Sequence, residues 1–153
     1  MAVEVRAVKY GEILGAPNWP ELLVEYAAEC SLPELGLVNP QAELYAGLER
    51  SGGFQAFGAF DDARLVGFVT VLEYPLPHYG GKKIAATESL FLARAYRNQG
   101  IWPRMMAVVK GFAKSRGCAT VQCTAPVGSR FARLMELNRT QCRKSNVVYL
   151  WGL

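Results

Sequence analysis

Histidine is nearly missing from this chain: His78 is the only one, and Cys30, Cys118, Cys123 and Cys142 stand too far apart for a C-x-x-C pair. That scarcity argues against the common zinc and dithiol redox motifs, which need such ligands at short, fixed spacing. No metal is expected. A disulfide framework is not needed either, because a chain of 153 residues buries a real core, so the cysteines are read as free thiols, mostly filling that core. Long apolar runs are lacking as well. Charge or glycine interrupts each of them well short of the ~20 residues a membrane span requires, so no membrane partner is expected. The opening Met1-Ala2-Val3-Glu4-Val5-Arg6 lacks the basic-then-apolar layout of a secretory signal, which makes a cytoplasmic location the expectation. With 51% hydrophobic and 20% charged residues the composition is that of a folded globular chain, read as one domain over residues 1–153. A net charge of +4 and a pI near 9.0 suit an anionic ligand, whether a nucleotide cofactor or a nucleic acid.

What is present is an ordered series of periodic segments. Val3 to Val8 alternates apolar and polar residues at the period of a half-buried strand. Pro17-Asn18-Trp19-Pro20 is helix-start chemistry, and Leu22, Leu23, Tyr26 and Ala27 then recur at helical spacing until Cys30. A loop from Leu32 to Asn39 leads to a second helix opened by Pro40, carrying Leu44, Tyr45 and Leu48 and stopped by Gly52-Gly53. Phe54 to Phe60 and Leu65 to Leu72 are strand-forming runs around Asp61-Asp62-Ala63-Arg64, the signature of a hairpin. The Pro- and Gly-rich stretch from Pro75 to Lys83 reads as a connection, and Ile84 to Leu92 as the next strand. A helix around Pro103 presents Met105, Val109 and Phe112 and stops at Gly117. Thr120 to Ala125 is a strand, Ser129 caps a helix with Phe131, Leu134 and Met135, and Asn146 to Trp151 is expected as a closing strand. The order is β-α-α-β-β-β-α-β-α-β, without an internal repeat.

The segment richest in chemistry is Leu90-Phe91-Leu92-Ala93-Arg94-Ala95-Tyr96-Arg97-Asn98-Gln99-Gly100-Ile101-Trp102, a strand feeding a polar, glycine-containing turn that opens a helix. The first turn of a helix leaves backbone N–H groups without partners at the positive end of its dipole, so this turn favours an anion, reinforced by Arg97 and Arg104. It resembles the pyrophosphate-binding motif of the GNAT family, Q/R-x-x-G-x-G/A, with Arg97 at the Q/R position and Gly100 at the first glycine; Trp102 replaces the final Gly/Ala and Pro103 follows. The resemblance covers most of the element order. It implies an α+β fold with a mixed, mostly antiparallel central sheet flanked by helices, and acetyl-CoA as co-substrate. Leu90, Phe91 and Leu92 would line the acetyl-pantetheine arm, and Arg97, Asn98, Gln99, Gly100, Ile101, Trp102 and Arg104 would hold the pyrophosphate.

The implied activity is transfer of acetyl from acetyl-CoA to a primary amine by direct attack, with Glu88 as general base. The alternative for Glu88 is a polar strand residue facing solvent or pairing with Lys82 or Lys83. For the general acid, family members carry an Asn at the start of the next helix and a Tyr on it; Ser129 and Met135 stand there, leaving Tyr149, His78 or a water to act. Tyr149 is also read as core or strand surface. His78 and Tyr79 are candidate substrate contacts in a loop. Phe54, Phe57, Phe60 and Phe68 are read as packing. Arg130, Arg133, Arg139, Arg143 and Lys144 read as a solvated face, and as an acidic-partner surface only if they join Lys110 and Lys114. A nucleic-acid partner is not favoured. The resemblance includes family members encoded by phages, and a catalytically impaired binding or virion-associated protein is the alternative function. A homodimer paired through the C-terminus is the expected assembly if there is one.

Overall fold

The computed structural model describes residues 2–153. Five strands form one sheet in the order β1-β2-β3-β4-β5: β1 Glu4–Val8, β2 Phe54–Asp61, β3 Arg64–Leu76, β4 Lys82–Leu92 and β5 Thr120–Gln122. The first four run antiparallel in succession, and β5 lies parallel to β4, so the sheet is mixed and mostly antiparallel as expected. The anticipated hairpin is present, with Asp61 facing Arg64 and Asp62 at φ 52° in its turn.

Both faces of β2 and β3 are covered, which explains why these strands read as near-continuous apolar runs. On one face Phe54, Phe60, Leu65 and Phe68 pack with Tyr10 and Ile13 of α1 (Tyr10–Leu14) and with Trp19, Leu22 and Tyr26 of α2 (Trp19–Cys30). Leu48 and Tyr45 of α3 (Ala42–Ser51) join that cluster from its edge. On the other face Phe57, Val66, Val69 and Val71 meet Ile101, Met105, Val109 and Ala113, a stripe one turn apart along α4 (Ile101–Ser115). Ala113 rather than Phe112 completes this stripe; Phe112 is half-buried, edge-on to Phe57 at 6.1 Å between ring centroids.

Several expectations are corrected. Helix α1 was not legible, because five residues with one glycine inside and another at the end carry little helical propensity; burial of Tyr10 and Ile13 makes it. Strand β3 continues through Pro75 to Leu76, where a connection was expected. Beyond Glu73, whose N–H reaches Gly53 O at 2.8 Å, β3 has only β4 as a ladder partner, and an edge tolerates a residue without an N–H. Strand β5 stops at Gln122 instead of Ala125, because its pairing with β4 ends at Ala86. Helix α5 (Arg130–Leu137) forms as read, with Ser129 Oγ accepting from the N–H of Ala132 at 3.0 Å. The closing strand at Asn146–Trp151 does not form: Tyr149 is 79% exposed and Trp151 85%. Apolar alternation makes a segment competent for a strand, but a ladder partner must complete it, and no strand of the sheet pairs with this one. All four cysteines are free and half-buried, so none sits in the fully buried core.

Candidate active site

The register of β3 against β4 changes at one point: Thr70 faces Ser89, whereas Val71 faces Thr87. Glu88 is therefore the extra residue of a β-bulge, a device that takes a side chain out of the regular alternation and re-aims it. Its carboxylate pairs with neither Lys82 nor Lys83; Lys83 is held at 2.8 Å by Glu73. Instead Glu88 Oε2 accepts two hydrogen bonds, from Tyr45 OH at 2.9 Å and Thr70 Oγ1 at 2.7 Å. Thr70 in turn accepts from the N–H of Ser89 at 3.0 Å and lies 2.7 Å from Ser89 Oγ. Glu88 itself remains exposed although Thr70 is fully buried.

Tyrosines back this carboxylate. Tyr45 stacks on Tyr10 with ring centroids 3.6 Å apart, and Tyr26 approaches from α2, where it packs on Phe68 and Phe91. Burial drives the Tyr45 hydroxyl far above its ordinary range, with Tyr10 and the Glu88 charge adding to the effect. Burial also pushes Tyr10 up to about 12. These hydroxyls therefore stay protonated at neutral pH. Sequence reasoning missed Tyr45 and Thr70. Tyr45 sat in a helical apolar stripe and Thr70 in a strand, and only the tertiary fold brings them to a residue far along the chain.

Past the bulge, β4 runs on through Leu90, Phe91 and Leu92, but β5 pairs only with Ile84, Ala85 and Ala86. The outer edge of β4 beyond the bulge has no strand beside it among the described residues, so its backbone groups are open to an extended ligand carrying amides. At its end a 3₁₀ turn, Arg94–Tyr96, leads into Arg97-Asn98-Gln99-Gly100. Asn98 at φ 70° and Gly100 at φ 72° both adopt the left-handed conformation and turn the chain into α4. No side chain caps α4, so the first-turn N–H groups, apart from the one Pro103 lacks, are free for an anion. Arg104 is exposed on that turn.

Arg97 is also engaged within the protein. Its Nε donates to Leu92 O at 2.8 Å and its Nη2 to Glu29 Oε2 at 2.8 Å, and the side chain is 22% exposed. Glu29 also accepts from Arg94 Nε at 2.7 Å, and Glu25, one turn earlier on α2, accepts from the Arg94 N–H at 2.7 Å. Burial alone would raise the Glu29 carboxylate, but Arg97 and Arg94 outweigh it and hold Glu29 below its ordinary range. Arg97 thus ties the loop to α2. On the opposite side Arg130 Nη2 donates to Asn98 Oδ1 at 2.6 Å, Gln99 Nε2 donates to Ala95 O at 2.8 Å, and Trp102 stands edge-on to Phe131 at 4.6 Å. Ile101 is buried against the sheet, whereas half-buried Trp102 packs on α5.

His78 and Tyr79 are exposed neighbours, ring centroids 5.3 Å apart, in the 3₁₀ turn Pro77–Tyr79. That turn closes the β3–β4 hairpin at the end away from the bulge, ~20 Å along the strand from Glu88 at ~3.3 Å per residue. Tyr149 lies in the exposed C-terminal segment. The structure therefore gathers Glu88, Leu90 to Leu92 and the Arg97 to Arg104 turn along one strand and its exit, with His78 and Tyr79 at the far end of the hairpin. Among the described residues no helix is long and apolar enough to cross a membrane.

Known proteins share this fold. The ribosomal-protein-alanine N-acetyltransferase from Brucella melitensis biovar Abortus 2308 superimposes with a TM-score of 0.71 at 22% identity, covering 99% of this chain and 100% of that one. Glucosamine-6-phosphate N-acetyltransferase from Arabidopsis thaliana gives 0.73 at 12% identity, with 99% of each chain covered. AAC(6')-Iy, solved with a bisubstrate analogue, CoA-S-monomethyl-acetylneamine, gives 0.73 at 12% identity, covering 100% of this chain and 99% of that one. At these identities the likeness establishes the fold. No curated protein matches the sequence. The sequence model of the acetyltransferase (GNAT) family matches residues 19–135, a span holding the bulged strand, the glycine turn and α4, and by that match over most of its length this chain belongs to the GNAT family of acetyltransferases.

Proposed function

We propose that the protein is an N-acetyltransferase that moves the acetyl group of acetyl-CoA directly to a primary amine. The observation that carries this reading is the placement of an exposed, hydrogen-bonded carboxylate, Glu88, on the same strand whose open edge runs into an uncapped helix start. The residues suit the donor. The first-turn N–H groups of α4, with exposed Arg104, would take its pyrophosphate, and the Leu90 to Leu92 edge would pair with the amides of its pantetheine arm. Arg97, tied to Glu29, would shape this site and keep its positive charge beside the turn.

Acetyl-CoA supplies an activated thioester carbonyl. A neutral amine attacks that carbon, the C–N bond forms, the C–S bond breaks, and the amine proton passes to Glu88 directly or through water. A backbone N–H near Leu92 stabilises the oxygen charge that develops. The thiolate needs little help to leave, since thiols ionise near pH ~8.5, so the absence of tyrosine at Met135 leaves the reaction workable. In this reading the acceptor would approach Glu88 from the side of α3, which supplies Tyr45. The loop between α2 and α3 holds an open surface hollow of about 320 Å³ lined by residues 30–32 and 35–39.

The test is thermal unfolding with acetyl-CoA, followed by thiol release with a panel of amines. Acetyl-CoA at ~100 times its dissociation constant should stabilise the protein by about 2.7 kcal/mol. Arg104→Glu, which sets a negative charge at the helix start, should weaken that effect. Glu88→Gln should keep the stabilisation and lose thiol release by ~10²- to 10⁴-fold. No stabilisation at millimolar acetyl-CoA would favour a binding protein on the same fold.

A further inference from the structure

Resting on the acyl-transfer reading, we propose that Tyr45 is a positioning residue which, together with Thr70, occupies one oxygen of Glu88 and leaves the other, Oε1, as the atom that takes the proton of the incoming amine.

The proton inventory allows one arrangement. An ionised carboxylate only accepts, so Tyr45 and Thr70 must each give their single hydroxyl proton to Oε2. Thr70 then has no proton left for Ser89, which fixes Ser89 Oγ as the donor in their 2.7 Å contact. The Ser89 N–H also points at the same threonine oxygen, at 3.0 Å, so both lone pairs of Thr70 are used. Each carboxylate oxygen offers about two lone-pair sites, and those of Oε2 are filled by these two donors. Oε1 receives no hydrogen bond from the described residues, and Glu88 is exposed, so the free basic sites are open to solvent and to an incoming amine.

The two donors differ in rigidity. Thr70 is fully buried in the middle of the sheet and anchors Glu88 from below the bulge. Tyr45 approaches from α3, which buries no residue completely and is therefore the less firmly seated of the two elements. Its ring is nonetheless constrained on two sides, stacked on Tyr10 at 3.6 Å and tilted against Phe54 at 5.6 Å. A second bond from α3, Glu49 Oε1 accepting from the Tyr10 N–H at 2.7 Å, holds the helix beside this pair. Burial keeps the Tyr45 hydroxyl protonated, so it remains a donor throughout the range in which an amine can be acetylated. Without Tyr45 the exposed carboxylate keeps one anchor and rotates about its own χ angles.

A double-mutant cycle tests this. Tyr45→Phe preserves the stacked ring and removes only the hydroxyl, so its melting temperature, compared with wild type, first verifies folding. Wild type, Tyr45→Phe, Glu88→Gln and the double variant are then compared in acetyl-CoA-induced thermal shift, and in kcat and KM for thiol release with the most active amine of a panel. Tyr45→Phe should retain the acetyl-CoA shift and its KM within ~2-fold while kcat falls by ~10- to 100-fold, the scale on which misplacing a reacting group acts. In the Glu88→Gln background the same change should have no further effect on kcat. An equal loss in both backgrounds, or a change confined to KM, would overturn the positioning role. Wild type that neither binds acetyl-CoA nor releases thiol would instead sink the acyl-transfer reading itself, a separate result.

Discussion

Tyr10 is 1% exposed, yet its hydroxyl has no hydrogen-bond partner, alone among the described buried side-chain polar atoms. A buried polar group left unpaired costs ~1–3 kcal/mol, so Tyr10→Phe should leave stability unchanged or raise it by up to ~1 kcal/mol, seen as a melting temperature higher by ~2–4 °C. Tyr10→Ala should instead lose ~3–5 kcal/mol, because the ring packs on Tyr45 and Phe54. A drop in stability for the phenylalanine variant would mean that the hydroxyl is satisfied in solution. Gly100 presents the opposite case. Its φ of 72° is costly for any residue with a Cβ, although a methyl group there would touch nothing within 4 Å. Gly100→Ala should therefore cost about 1–2 kcal/mol of backbone strain and no steric clash, and calorimetry would read the difference directly. Because this strain falls at the start of α4, acetyl-CoA stabilisation should weaken in the same variant.

At the scale of elements, β3, β4 and α4 are clamped by one carboxylate. Glu73 on β3 accepts from Arg116 Nε at 2.6 Å and from Lys83 Nζ at 2.8 Å, while Arg116 also reaches Gly52 O at 3.1 Å, just past α3. Arg116 first and Lys83 second hold the Glu73 carboxyl below its ordinary range, against an opposing push from burial. A carboxyl whose folded pKa is depressed binds protons more readily in the unfolded chain, so its contribution is complete above the unfolded value, ~4.3, and is lost as pH falls through the lower folded value. The gap in melting temperature between wild type and Glu73→Gln should accordingly be full at pH 7 and narrow progressively as pH falls below the unfolded value of ~4.3. A gap that does not narrow with acidification would assign the effect to packing. Glu29 carries the same sign, and its two arginines, Arg94 and Arg97, connect α2 to the turn before α4. The turn before α4 is thus held by ion pairs to α2, and the bulged carboxylate by Tyr45 of α3.

Across the whole molecule, the core lies on both faces of β2 and β3, while the C-terminal segment contributes little to it. Val147, Val148, Leu150 and Leu153 are exposed along with Tyr149 and Trp151. Deleting residues 146–153 should change the melting temperature by less than ~2 °C, since exposed side chains lose little buried area, and it should improve solubility by removing an apolar patch. The same deletion decides the general acid. Thiol release that survives it removes Tyr149 from the reaction, whereas a loss of ~10²- to 10⁴-fold would assign Tyr149 the acid role.

Apart from α1, the element order from β1 to α5, the hairpin and the glycine turn were legible in the sequence, because they rest on local rules: a period of two or of 3.6, a proline or glycine at a boundary. Local rules also named the stop at Gly117 and the cap at Ser129. They misjudged what depends on a partner. The Asn146–Trp151 run has the pattern of a strand and none beside it, and α1 has poor propensity but two buried anchors. The ion pair of Arg97 with Glu29 of α2 was likewise not legible, because it joins residues far apart in the chain. What tertiary structure alone decided is the environment of Glu88. A one-residue register shift against Thr70 lifts it from the ladder, and the packing of α3 on Tyr10 brings Tyr45 to it, because hydrogen bonds between residues distant in sequence are fixed by how elements meet and leave no period in the chain.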